Sequence, residues 1–150
     1  MPKKSTVRRA RADKRQGKSA STQAGEFVRE EIELIRKGVH GARSTKQAIA
    51  IGLSKARRAG VKLEPPKHGE ASEETIEHAK RDAERGKHPK KPSRKRSRAT
   101  LKALKREGTA AASHEALSRQ AKSQAKKRTA SERSAIAKKA ARTRKRRAKA

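Results

Sequence analysis

The chain has no cysteine, no tryptophan and no tyrosine, and only one phenylalanine. Without cysteine there is no disulfide framework and no thiolate-ligated zinc, and nothing argues for an oxidising compartment. Without aromatics there is no platform for stacking unpaired bases, which disfavours single-strand and RNA-recognition modules. Long apolar runs are missing too. No stretch approaches the roughly 18 residues of a membrane span, and the basic start MPKKSTVRRARADKR leads into no apolar signal-peptide core. The expectation is a chain that neither spans a membrane nor is exported by that route.

Large apolar side chains are also scarce. Val, Ile, Leu and Phe make up 17 of 150 residues, less than the roughly one fifth below which a charged chain is expected to stay largely disordered. Eleven of the 17 lie between Phe27 and Leu63, so a core is expected there only. Val7, Ile76, Leu101, Leu104, Leu117 and Ile136 are scattered singly.

Positive charge is what the chain has in excess. Lys and Arg number 45 against 15 acids, a formal net charge of +30, which makes a polyanion the default partner. The excess is uneven. Residues 93–150 carry 21 Lys and Arg against three acids, and residues 1–20 carry eight against one. Residues 21–60 carry eight against four, and 61–92 eight against seven.

In the apolar segment, Ser21 or Thr22 is placed to cap a helix running from about Gln23 to Lys37, with Ala24, Phe27, Val28, Ile32 and Ile35 on one face. Ser44 followed by Gln47 has capping-box spacing. Ala48, Ile49, Gly52, Leu53 and Ala56 then form a second apolar stripe. Both helices stop alike, at Gly38-Val39 and Gly60-Val61, where Gly can take a left-handed cap and Val can fold back on the last turn. The short connector from Gly38 to Arg43 predicts antiparallel neighbours, with the Ala48, Gly52 and Ala56 ridge allowing close approach.

The fold class expected is therefore all-α, a small helical hairpin with largely disordered or extended-helical polybasic arms. Residues 1–20 are the basic N-terminal arm, 21–63 the hairpin core, 64–92 a linker with a short helix, and 93–150 the Ala/Lys/Arg-rich tail. So small a core makes self-association through the hairpin, or folding on a partner, an open expectation. A faint repeat matches Thr6-Val7-x-x-Ala10-x-x-Asp13-x-x-x-Gly17-Lys18 to Thr75-Ile76-x-x-Ala79-x-x-Asp82-x-x-x-Gly86-Lys87, each copy reading as a short helix stopped by Gly. The tail composition predicts helices from about Arg98 to Glu107 and from Ser113 to Arg147 with little tertiary packing.

No catalytic or metal constellation stands out. Gly17-Lys18-Ser19 imitates the end of a phosphate-binding loop, but Ala12 stands where that motif needs Gly, and no buried strand precedes it. His68, His78 and His88 step ten residues at a time, which puts successive side chains on different faces of a helix. Glu26, Glu30, Glu31 and Glu33 offset the basic neighbours of the first hairpin helix and are expected to keep it off a phosphate backbone. No enzyme activity, cofactor or metal is expected.

The basic clusters carry the chemistry, because Lys and Arg can replace the counterions condensed on nucleic acid. On the second hairpin helix the candidates are Arg43, Lys46, Lys55, Arg57 and Arg58. In the tail they are Lys90, Lys91, Arg94, Lys95, Arg96 and Arg98, then Lys126, Lys127 and Arg128, and finally Lys138, Lys139, Arg142, Arg144, Lys145, Arg146 and Arg147. A helix-turn-helix reader is disfavoured because its turn is shorter than this connector.

The stretch STKQAIAIGLSKARRAG, with Ser44, Lys46, Gln47, Ala48, Ile49, Ala50, Ile51, Leu53, Ser54, Ala56 and Arg57 at the matching positions, resembles a family of small basic bacterial proteins of unknown function, often labelled DNA-binding on general grounds. The preceding TQAGEFVREEIELIRKG is similar as well, so the resemblance covers about 40 residues. It implies a bacterial cytoplasmic protein and supplies no activity. The tail is similar, in composition only, to linker-histone-like proteins. The function expected is DNA binding without sequence preference, in the manner of a histone-like, nucleoid-associated protein. The alternatives are a structured-RNA or ribosome-associated protein, and a hairpin that docks a protein partner with the basic arms as tethers.

Overall fold

The structure is a computed structural model that describes residues 2–88 and 93–148. It is all-helical, with no strand among the described residues. Two compact units divide the chain, Met1–Ser113 and His114–Ala150.

The first unit begins with α1 (Lys4–Arg15) and α2 (Ala20–Arg36). Gly17, at φ 66°, ends α1 in the left-handed region, where its amide donates to the Lys14 carbonyl and that of Lys18 to Asp13. Ser19 then caps α2, its hydroxyl accepting from the Thr22 amide. The expected cap at Ser21 or Thr22 thus moves back, and both residues lie inside the first turn. The chain leaves α2 through Gly38 at φ 68°, whose amide donates to Ile35 while that of Val39 donates to Leu34. α3 (Thr45–Arg58) opens on Ser44, whose hydroxyl accepts from the Gln47 amide at 3.1 Å. It closes the same way, with Gly60 at φ 87°, the Gly60 amide on Arg57 and the Val61 amide on Ala56.

α2 and α3 pack as the predicted hairpin. At Gly52 an added Cβ would lie 2.7 Å from the Val28 Cα, so only glycine admits this approach of the two backbones. Ala24, Phe27, Ile35, Ala48 and Ala56 are essentially sealed from solvent at the interface.

The core reaches beyond the hairpin. α1 packs against α2, burying Thr6, Ala10 and Asp13, and α4 (Glu73–Lys87) packs against α3, burying Ile76 and Ala79. The two copies of the repeat are therefore the two helices added to the hairpin, one on each partner. Their glycines differ in use. Gly17 terminates α1, whereas α4 continues past Gly86 to Lys87, and an added Cβ on Gly86 would fall 2.1 Å from the Arg57 carbonyl oxygen.

α5 (Arg94–Leu104) leads into a turn that wraps the connector end of the hairpin. The Gly41 amide donates to Leu104 and the Ala42 amide to Gly108. A short 3-10 turn, Ala110–Ala112, follows; Ala111 accepts from the Thr45 hydroxyl and Ala112 from Arg36 Nε.

The second unit holds α6 (His114–Lys126) and α7 (Ala130–Arg147). Thr129 and Glu132 form a reciprocal capping box that starts α7 and breaks the expected single rod from Ser113 to Arg147. The expectation of largely disordered arms is corrected accordingly: the N-terminal segment is α1 bound to the core, and most of the described tail is helical. For α1 the reason is that the core is built largely of alanine, Ala10, Ala24, Ala42, Ala48, Ala56, Ala79 and Ala112, which a count of large apolar residues overlooks; in the tail it is the helix propensity of an Ala, Lys and Arg sequence. Small side chains bury less area each but let helices approach closely.

Candidate nucleic-acid interface

The five cations assigned to the second hairpin helix divide three ways. Arg43 and Lys46, at the start of α3, are exposed; the Arg43 backbone amide donates to Gln47 Oε1 at 2.7 Å, which fixes the entry of the chain. Lys55 turns back toward α2 and pairs with Glu31. Arg57 is buried; its Nε and Nη2 donate to the carbonyls of Leu63 and Glu64 at 3.3 and 3.2 Å, clamping the exit from α3. Burial lowers the Arg57 pKa from its ordinary value, with Asp82 opposing. Arg58 is partly open and lies 3.6 Å from Asp82, which also accepts from the Ser54 hydroxyl. Only Arg43, Lys46 and the exposed part of Arg58 face solvent.

In the tail the cations whose side chains are described stay outside. Arg94, Lys95, Arg96 and Arg98 lie along α5, which Ser93 caps and which has no buried residue. Lys90 and Lys91 lie outside the described residues. Lys126 ends α6, and Lys127 and Arg128 follow in the turn, all exposed. In α7, Lys138, Lys139, Arg142, Arg144, Lys145 and Arg146 are exposed, and Arg147 is the last helical residue. At about 100° per residue these positions surround the helix rather than form a stripe. Among the described residues no cation of α5, and none of α7 from Arg133 to Arg146, forms an ion pair with a carboxylate. The one acid in α7, Glu132, accepts from the Thr129 amide at 2.8 Å and from its hydroxyl at 3.1 Å, and these bonds hold its pKa below the usual value.

Most acids of the first unit face inward or pair with neighbours, while Glu33, Glu64 and Glu77 are exposed. Glu31 is fully buried between Lys55 and His40, whose Nε2 is 3.4 Å from Oε1. Glu30 is buried too, and its Oε1 accepts from the Lys3 amide at 2.9 Å, closing the start of α1. Glu26 binds Arg9, at 2.5 Å, and Arg29, and the bond from Arg9 raises that guanidinium's pKa. Glu30 and Glu31 therefore hold helices together where the sequence suggested surface carboxylates screening α2.

Lys18, from the loop that imitates a phosphate binder, pairs with Asp13, and its neighbour Ser19 caps α2. His68, His78 and His88 sit beside Glu73, Glu74 and Glu84 respectively, all exposed. No group of three or more His, Cys, Asp or Glu suited to a metal occurs among the described residues. Among them, too, no helix is long and apolar enough to cross a membrane.

Sequence reasoning assigned no site residue to α1. Lys4, Arg8, Arg11 and Arg15 are all exposed there, at steps of four, three and four residues.

Residues 14–68 match a family of unknown function, DUF6496. The matched segment runs from the end of α1 through the hairpin and stops before α4. No curated protein and no solved structure matches the chain.

Proposed function

We propose that this chain binds duplex DNA without sequence preference, as a histone-like protein of the bacterial nucleoid. One observation carries the proposal: the cations of α5, and those of α7 from Arg133 to Arg146, are exposed and lack carboxylate partners among the described residues, while most acids of the first unit are engaged with their own fold. Cations so disposed neutralise phosphates and release counterions, a sequence-blind interaction that weakens steeply with salt. The single aromatic, Phe27, is buried and offers no base-stacking surface, which favours duplex over single strands.

The test is a mobility shift on random-sequence duplex across a salt series. With about six to ten phosphates neutralised, affinity should fall by roughly 10³ to 10⁵ between 50 and 200 mM salt. An affinity that changes less than about tenfold over that range would refute phosphate neutralisation as the main attraction. Structured RNA is the second reading, since its phosphates suit the same cations; ribosomal RNA that displaces labelled duplex at lower concentration than unlabelled duplex does would favour it.

A further inference from the structure

We propose that α1 is a second duplex-binding surface, built into the folded core and acting through Lys4, Arg8, Arg11 and Arg15. At about 100° per residue these four lie within roughly 60° of one another, and directly opposite the face formed by Thr6, Ala10 and Asp13. Those three are buried against the rest of the unit while the four cations are exposed, so packing against α2 aims the stripe at solvent. No carboxylate pairs with any of the four among the described residues; Glu26 is engaged by Arg9 and Arg29, and Asp13 by Lys18.

α4 supplies the contrast. It repeats the α1 pattern and packs on the other hairpin helix, yet its outward residues include Glu73, Glu74, Glu77 and Glu84 among Lys80, Arg81, Arg85 and Lys87. Several of these are paired locally, Lys87 with Glu84, Arg85 with Asp82 and His78 with Glu74. Two related helices with the same packing task thus differ in outward charge, and packing alone does not require the difference.

The spacing suits a phosphate backbone. From Lys4 to Arg15 the helix rises about 16 Å at 1.5 Å per residue, and a DNA strand presents a phosphate about every 3.4 Å along its axis. The stripe therefore runs beside a length of duplex that carries more phosphates than the stripe has cations.

Resting as it does on the DNA binding proposed above, the inference is tested in the full-length chain. Lys4, Arg8, Arg11 and Arg15 are changed together to Gln, which has a comparable helix propensity. A control changes Lys80, Arg81, Arg85 and Lys87 to Gln, removing the same charge from α4, and a third variant changes Arg8, Arg11 and Arg15 to Lys. Circular dichroism melts confirm that each variant folds. The slope of log affinity against log salt should become shallower by about 3 to 4 in the α1 variant, at about 0.9 per phosphate lost. It should hold in the lysine variant and move by less than 1 in the α4 control. Unchanged slope in the α1 variant, or an equal change in the α4 control, overturns this inference while leaving the wider DNA-binding proposal intact. Failure of the unaltered chain to bind duplex overturns that proposal first.

Discussion

At the scale of single residues, Glu31 ties the two hairpin helices together through its pair with Lys55. It is fully buried, with Lys55 on one carboxylate oxygen and His40 near the other, and the His40 Nδ1 in turn lies 3.1 Å from the Gly41 carbonyl. A buried carboxylate deprived of its cation is costly, whereas removing both members of the pair can be nearly neutral. Lys55→Met should therefore lower stability by about 3 kcal/mol, read as a drop in urea midpoint. Adding Glu31→Met should recover most of the loss, and a double variant as unstable as the single one would contradict the assignment. None of this was legible in the sequence, where Lys55 and Arg57 look like two more surface cations. Their inward turn is set by tertiary neighbours, Glu31 on α2 for one and the carbonyls of Leu63 and Glu64 for the other.

At the scale of elements, glycines separate close packing from mere tolerance. Gly52 and Gly25 both lie inside helices, but a Cβ at Gly52 meets the Val28 backbone at 2.7 Å while one at Gly25 meets nothing within 4 Å. Gly52→Ala should destabilise by about 1 to 3 kcal/mol through overpacking, in spite of its better helix propensity. Gly25→Ala should stabilise by about 0.5 to 1 kcal/mol. Thermal unfolding of the pair checks both signs. The hairpin itself was readable, because the Ser44 cap, both Gly-Val stops and the Ala48, Gly52 and Ala56 ridge are local chemistry that packing reinforced. The α2 start was displaced because Ala20, Ser21 and Thr22 all tolerate helix once Ser19 supplies the cap. Ile76 read as an isolated apolar residue, yet α4 buries it against the hairpin, a long-range outcome visible beforehand only as a weak repeat. The same holds for α1, which carries the candidate stripe.

At the scale of the whole molecule, burial is graded between elements. α2 and α3 share the sealed interior, whereas none of the described side chains of α7 is buried. A helix without a buried face lacks the tertiary packing that supplies most helical stability in proteins, and amides open to exchange in order of local stability. Hydrogen exchange should therefore be slowest in α2 and α3 and fastest, among the helices, in α5, α6 and α7, since α5 and α6 have no buried residue either, with duplex DNA slowing α5 and α7 most; equal protection of all helices in the free chain would contradict this. Within the first unit, α1 and α4 clothe the hairpin unequally, one bristling with unbalanced cations and the other close to electroneutral. Such a body has an electrical moment across its helix layers, and the field around a polyanion exerts a torque on it before any contact forms. Approach would then be pre-oriented, with a larger share of encounters arriving cation side first.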